Sequence, residues 1–196
     1  MLKRIFDFIF SLLCLIILSP FLIIISLIIA IDSRGSIFYF QTRVGRNNID
    51  FILFKFRTMH TDADKKGLLT IGGRDSRITK IGYYLRKYKL DELPQLINVL
   101  IGNMSFVGPR PEVRKYVNLY NDVQKKVLNV KPGITDIASI EYFNENELLG
   151  KSEDPENTYI HEVMPAKLNL NLKYIAKRSF MKDIGIIFKT FLKLFS

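Results

Sequence analysis

From Phe8 to Ile31 the chain runs 24 positions without a charge. At about 1.5 Å per residue a straight helix of that length spans roughly 36 Å, slightly more than the hydrocarbon core of a bilayer. The run is too long for the apolar centre of a signal peptide, and Ala30-Ile31-Asp32-Ser33-Arg34 offers no small-x-small cleavage site, so the pattern predicts a membrane segment. Ser19-Pro20 sits at its midpoint. Proline lacks a backbone donor and disfavours helical geometry in the residue before it, which divides the run into two legs of about 18 Å, each half a bilayer deep. Lys3 and Arg4 precede the run and Arg34, Arg43 and Arg46 follow it, so both ends ask for the cytoplasmic side. A re-entrant helix-break-helix satisfies both ends; a Pro-kinked spanning helix is the alternative.

Past the membrane run the pattern changes period. Ser36–Gln41 and Asp50–Arg57 are β-branched and aromatic runs around Gly45-Arg46-Asn47-Asn48, which predicts a β-hairpin with Lys55 and Arg57 on one face of its second strand. Residues 61–77 are polar and contain Gly67 and Gly72-Gly73, a loop able to fold over a ligand. Ile78, Ile81 and Leu85 mark a short amphipathic helix that feeds Arg86 and Lys87 toward Asp91. Pro94 suits the first turn of a second helix that closes at Gly102-Asn103. A third helix is predicted over Glu112–Leu128, with Val113, Tyr116, Val117, Tyr120, Val123 and Val127 on one stripe. Residues 144–157 read as an acidic loop, and Phe180–Phe195 as a basic amphipathic helix suited to an anionic leaflet or to the protein's own core.

The chain has 196 residues, one domain with an appendage. Its 29 Lys and Arg against 19 Asp and Glu leave a net charge of +10, which asks for an anionic partner: nucleic acid, acidic lipid or a phosphorylated substrate. The single cysteine, Cys14, excludes an intramolecular disulfide and a thiolate metal cluster. With no His or Cys at metal-ligand spacing, His161 is assigned to the surface.

The candidate chemistry centres on Lys89-Leu90-Asp91-Glu92-Leu93-Pro94-Gln95-Leu96. Two adjacent carboxylates stand at a helix start, where free N–H groups and the helix dipole are expected to keep Asp91 ionised. Taken alone, the pair reads first as ordinary acidic capping, and it is the surrounding residues that turn the reading toward chemistry. Nearby, Pro109 and Pro111 stiffen the loop that carries Arg110, so its guanidinium loses less entropy on gripping a phosphate. Four cations (Lys55, Arg57, Arg86 and Arg110) and one carboxylate pair beside a membrane insert suit displacement at a pyrophosphate.

Phe54-Lys55-Phe56-Arg57-Thr58-Met59, Leu90–Leu96, Asn98-Val99-Leu100, Met104–Pro111 and Lys131-Pro132-Gly133-Ile134-Thr135 resemble, in order, the bacterial sugar transferase family in its small monotopic phosphoglycosyl transferase form. Lys3-Arg4-Ile5-Phe6-Asp7 and Ser19-Pro20 resemble that family's membrane segment, so the likeness covers nearly the whole chain. It implies an α+β, mainly helical fold: a re-entrant helix-break-helix anchor over residues 1–35, broken at Ser19 and Pro20, and a cytoplasmic catalytic domain over 36–196 with interfacial amphipathic helices and a small β-hairpin. It implies a bacterial inner-membrane enzyme, with its catalytic domain on the cytoplasmic face. It implies too that Asp91 attacks the β-phosphate of a UDP-sugar carrying an N-acetylated or deoxyamino hexose, that UMP departs, and that the sugar-phosphate passes to undecaprenyl phosphate to begin a surface glycan. Asp91 would also lie at Mg²⁺, Glu92 would support it, Arg110 would bind phosphate, and Lys55, Arg57 and Arg86 would line the cleft. No nucleic-acid partner is implied, and a homodimer is compatible. Two departures from the family's common pattern stand out: Asp136 after Gly133-Ile134-Thr135, where Gly is frequent, and Ile140–Glu147 in place of an Asn-Gly-Arg stretch. The rival reading is a non-catalytic membrane adaptor whose basic domain binds anionic lipid or nucleic acid, which explains the charge but not the carboxylate pair beside a stiffened arginine.

Overall fold

A computed structural model describes residues 2–61, 63 and 75–194. It is mainly helical, with one long apolar helix at the N-terminus and two small two-stranded sheets. Gly67 and Gly72-Gly73 of the expected loop lie outside the described residues, as does Phe195.

The membrane run forms α1 (Leu2–Asp32), long and apolar enough to cross a bilayer by length and composition, with only 11% of its most apolar stretch buried. The expected break at Ser19-Pro20 does not interrupt it. Pro20 has no N–H for the carbonyl of Ile16, four residues back, and the Ser19 hydroxyl donates to that carbonyl at 2.8 Å instead. The serine thus restores the hydrogen bond that the proline removes, and the helix continues.

Both ends of α1 are fastened to the rest of the protein. Arg4 donates to the carbonyls of Val99 and Leu100 at 2.6 and 2.8 Å, capping the C-terminus of α3 (Gln95–Ile101) with a cation. At the far end the Arg57 guanidinium donates to the Ser33 carbonyl at 2.6 Å, and the Asp32 carboxylate accepts from the N–H of Ile81 at 3.3 Å in α2 (Lys80–Lys87). Between these ends, Leu15 and Leu18 pack on Leu96 and Val99, while Ile25 and Ile29 join Phe56 and Leu85 in a separate core cluster.

The predicted hairpin is present as β1 (Phe38–Val44) and β2 (Asp50–Phe56), antiparallel with Phe38 opposite Phe56. A short 3₁₀ turn, Leu90–Glu92, then leads through Pro94 into α3, which closes at Gly102 in the left-handed conformation (φ 94°), as the sequence predicts. Asn98, fully buried in α3, fixes that helix across β2: its amide donates to the Ile52 carbonyl at 2.7 Å and its oxygen accepts from the Phe54 N–H at 3.0 Å. One side chain thereby sets the distance between Lys55 on β2 and the carboxylates before α3.

β3 (Ser105–Val107) and β4 (Gly133–Thr135) form the second sheet, a parallel pair. A Cβ on Gly108 would lie 2.3 Å from the Lys131 carbonyl oxygen, and one on Gly133 would lie 2.1 Å from the Gly108 nitrogen, so glycine is required on both sides of this junction.

The long helix predicted over Glu112–Leu128 is absent. Only α4 (Arg114–Val117) and a 3₁₀ stretch, Gln124–Asn129, form there. Asn121 and Gln124 bond each other's backbone N–H through their side chains, both at 2.9 Å, which closes a turn in mid-segment. The apolar stripe is nonetheless buried except Val123, which is 58% exposed. The acidic loop over 144–157 contains two short helices, α6 (Glu145–Gly150) and α7 (Pro155–Thr158), after α5 (Ile137–Glu141). They are followed by α8 (Met164–Ala176), and then by α9 (Phe180–Leu194), which leaves Met181, Phe188, Phe191 and Leu192 exposed.

Replacing Asn98 with Ala leaves two backbone groups of β2, the Ile52 carbonyl and the Phe54 N–H, without their side-chain partner. The expected cost is about 2 kcal/mol of unfolding free energy, read by chemical denaturation in detergent.

Candidate active site

A cleft of about 530 Å³ holds Lys55, Arg86, Asp91, Glu92 and Arg110, and it reaches Cys14 and Leu18 of α1 on one side. The structure therefore brings together five of the six residues that the sequence singles out for chemistry and places them against the apolar helix. Arg57 is the exception. Its N–H still pairs with the Ile37 carbonyl at 2.9 Å, one residue past the end of β2, but its guanidinium turns to the Ser33 carbonyl and hydroxyl at the end of α1. Arg57 is 7% exposed and serves there as a cationic cap on the helix rather than as a wall of the cleft.

The carboxylate pair divides its work unequally. Glu92 receives both ends of the Arg110 guanidinium, one at 3.0 Å, and the Lys55 ammonium at 3.4 Å. Burial alone would raise the Glu92 carboxyl, but the Arg110 and Lys55 charges and the Arg110 hydrogen bond outweigh it and hold Glu92 well below the usual range. Glu92 in turn raises Arg110, and burial lowers Lys55 against the pull of Glu92.

Asp91 is different. Four carboxylates line the cleft: Asp91, Glu92, Glu112 and Glu145. Glu112 pairs with Arg43 at 3.1 Å and Glu145 with Lys167 at 2.5 Å, so Asp91 alone of the four has no ion pair among the described residues. It is 7% exposed, and burial, then the neighbouring Glu92 charge, raise its carboxyl above the ordinary aspartate value against the opposing pull of Lys55, Arg86 and Lys89. The helix-start argument foresaw an ionised Asp91; in the free protein desolvation works the other way. Asp91 lies in the 3₁₀ turn ahead of α3, so the dipole it was expected to feel belongs to a seven-residue helix that begins four residues later.

The Arg110 loop is held by its backbone. Gly108 N–H donates to the Thr135 carbonyl at 3.1 Å, Gly133 N–H to the Pro109 carbonyl at 3.0 Å, and Arg110 N–H to the Asp136 carboxylate at 3.1 Å. Asp136 is fully buried and also accepts from Ser139 N–H and the Asn171 amide, which starts α5. Sequence reasoning noted Asp136 only as a departure; its place directly after Gly133-Ile134-Thr135 is the signal that ties it to Arg110. Lys89 was also passed over. It adopts the left-handed conformation (φ 56°), and both its ammonium and that of Lys193 from α9 lie against the Phe143 ring, 5.5 and 5.7 Å from its centroid. His161 is on the exposed side of a helical stretch, away from the cleft lining.

Among the described residues no group of three His, Cys, Asp or Glu side chains is placed to hold a metal. The donor set near Asp91 fits a hard cation only in one way: a single carboxylate oxygen shared with substrate phosphates and water, the mode Mg²⁺ tolerates.

The cleft thus sets a carboxylate that has no ion pair among the described residues beside cations held on three separate elements. The chain belongs to the bacterial sugar transferase family, whose model matches residues 1–196. Among its relatives, the undecaprenyl-phosphate glucose phosphotransferase of Komagataeibacter xylinus is 38% identical over 195 residues, 96% of this chain and 35% of that protein. The exopolysaccharide production protein PSS of Rhizobium leguminosarum bv. phaseoli is 37% identical, covering 96% of this chain and 92% of that one. The UDP-glucose:undecaprenyl-phosphate glucose-1-phosphate transferase of Escherichia coli (strain K12) is 36% identical over all of this chain, which spans 40% of its length.

The two acids carry opposite stability signatures. Asp91, raised in the folded state, favours folding when protonated and loses that contribution as pH rises, so Asp91→Asn is expected to raise the thermal midpoint at pH 7, with the gain fading toward pH 3. Glu92, lowered in the folded state, contributes stability above its unfolded pKa. Glu92→Gln is therefore expected to lower the midpoint at pH 7, with a loss of about 2 kcal/mol of unfolding free energy for two cations left unpaired in a partly open site. Thermal denaturation of both variants across pH checks the signs.

Proposed function

We propose that this protein moves a sugar-1-phosphate from a UDP-sugar to undecaprenyl phosphate through a covalent intermediate on Asp91, the initiating step of a bacterial surface glycan such as an exopolysaccharide, capsule or lipopolysaccharide. The observation that carries the reading is the division of the carboxylate pair: Glu92 holds Lys55 and Arg110 in place, and Asp91 is left without a salt bridge to give up before it can react.

The diphosphate enters among Lys55, Arg86 and Arg110, whose charges bind its oxygens. An Asp91 oxygen attacks the β-phosphorus, the bond from that phosphorus to the bridging oxygen breaks, and UMP leaves with the electron pair. A phosphate oxygen of undecaprenyl phosphate then attacks the same phosphorus and expels the Asp91 carboxylate, forming the lipid diphosphate sugar. Cys14 and Leu18 of α1 line the cleft, which gives the isoprenoid an apolar approach to the polar end. Mg²⁺ fits at Asp91 together with the phosphates, where it would neutralise charge on the diphosphate and the departing UMP.

The anchor in this reading is re-entrant, with the catalytic domain on the cytoplasmic face of the inner membrane. Support comes from the two ends of α1: Arg4 bonds α3 and Ser33 bonds Arg57, so both ends meet one domain. A straight helix of 31 residues, about 46 Å, crossing the bilayer would carry one end away from it. The sugar is an N-acetylated or deoxyamino hexose; relatives are named for glucose and for N-acetylgalactosamine, so a screen has to cover both kinds.

UMP release from a panel of UDP-sugars, with undecaprenyl phosphate and Mg²⁺ in detergent, tests the function. One donor is expected to release UMP with wild-type protein and none with Asp91→Asn, whereas wild-type turnover by that variant removes the mechanism. Arg110→Ala should lower the rate by two or more orders of magnitude in a protein that stays folded. Because Asp91 reacts as the carboxylate, kcat/KM should rise with pH along an acid limb lying above the ordinary aspartate value of 3.8.

A further inference from the structure

A second cavity, of about 490 Å³, opens where α1 and α9 begin, apart from the catalytic residues. The Phe6 and Phe180 rings meet edge to face at 5.3 Å and hold the two helix starts together. From that point each helix carries exposed apolar side chains, Ile5 and Ile9 on α1 and Met181, Ile184 and Phe188 on α9. The cavity wall bears five cations, Lys3, Arg4, Arg46, Lys131 and Arg178, against two carboxylates, Asp7 and Asp183.

Those carboxylates are already committed inside the protein. Asp183 accepts from Lys3 and from the Tyr174 hydroxyl, and Asp7 accepts from the Phe106 N–H at 3.2 Å. Arg46, Lys131 and Arg178 have no carboxylate partner among the described residues. Two cations converge on one point: a Cβ on Gly102 would lie 3.0 Å from Arg4 Nη2 and 3.4 Å from Lys131 Nζ. Lys131 is lowered first by burial and then by the Arg4 charge, the state of a cation facing its own kind. Ser105, 1% exposed, lines the same cavity with a hydroxyl that has no hydrogen-bond partner. Three cations without carboxylate partners, in one lining with an unpartnered buried hydroxyl, make a seat for an anion with oxygen acceptors.

We propose that this cavity binds the phosphodiester head group of an anionic phospholipid, with the acyl chains lying along the exposed apolar faces of α1 and α9. Phosphate chemistry alone would also admit a free phosphate ion. The lipid is favoured because the cavity sits between two helices whose exposed apolar side chains, Ile5 and Ile9 on one and Met181, Ile184 and Phe188 on the other, begin at its rim. The site is independent of the proposed transferase reaction, and its occupant is retained rather than consumed.

Native mass spectrometry of the full chain, released from micelles of equal phosphatidylglycerol and phosphatidylcholine, tests the site. Wild-type protein should retain phosphatidylglycerol in preference, and Lys131→Gln with Arg178→Gln should reduce that preference by on the order of fivefold per cation removed. Arg46→Gln with Arg178→Gln, both exposed positions, gives the same direction if the Lys131 change impairs folding. The lysines of α9 outside the cavity supply the control: a loss confined to Lys182→Gln with Lys189→Gln would place the lipid on the helix face and overturn the assignment. Equal retention of both lipids by wild type would overturn it as well. So would thermal protection by millimolar inorganic phosphate that matches protection by phosphatidylglycerol, since the occupant would then be the ion.

Discussion

The arrangement of this protein depends on one ion cluster, the Glu92 carboxylate gripped by Arg110 and Lys55. It joins three parts of the chain, β2, the turn before α3 and the loop after β3. Such a cluster is costly to bury and holds its members in register only when each is positioned by something else. Asn98 positions the carboxylates against β2, and the Gly108–Gly133 junction with Asp136 positions Arg110. The consequence is chemical. With Glu92 satisfied, Asp91 is buried near positive charges without an ion pair to any of them among the described residues.

The same logic extends to the apolar helix. Arg4 caps α3 from one end of α1, and Arg57 caps α1 from the domain side at the other, so helix termini and cations pair across the boundary between anchor and domain. The catalytic elements and the membrane run thus share their fastenings: α3, which carries Asn98, also receives Arg4. In the proposed reaction a lipid acceptor and a nucleotide donor would meet at Asp91, where the cleft wall is made partly of α1. The basic cavity at the starts of α1 and α9 adds a second place where charge and apolar surface coincide.

Much of this was legible in the residues. The hairpin followed from its aromatic and β-branched runs, α3 from Pro94 and Gly102, and the cluster of Lys55, Arg86, Asp91, Glu92 and Arg110 from motifs in sequence order. The failures were of three physical kinds. Strand alternation set Arg57 beside Lys55, but alternation does not decide where a long side chain ends, and the Ser33 groups at the end of α1 take its guanidinium. A helical stripe was read through Asn118, Asn121 and Asp122, whose side chains serve turns better than helix interiors. Proline was counted as a break at Ser19-Pro20, although the adjacent serine supplies the hydrogen bond that proline lacks. The ionisation of Asp91 was beyond sequence reasoning, since it turns on which of two adjacent carboxylates takes the cations, and that is decided by residues far along the chain.

The central claim is that Glu92 organises and Asp91 reacts. Peptide mass spectrometry of protein quenched with a competent UDP-sugar in the absence of lipid acceptor tests it most directly. The account predicts a sugar-phosphate adduct on the peptide containing Asp91, localised to that side chain. An adduct on Glu92, or turnover with no adduct on either carboxylate, would contradict it.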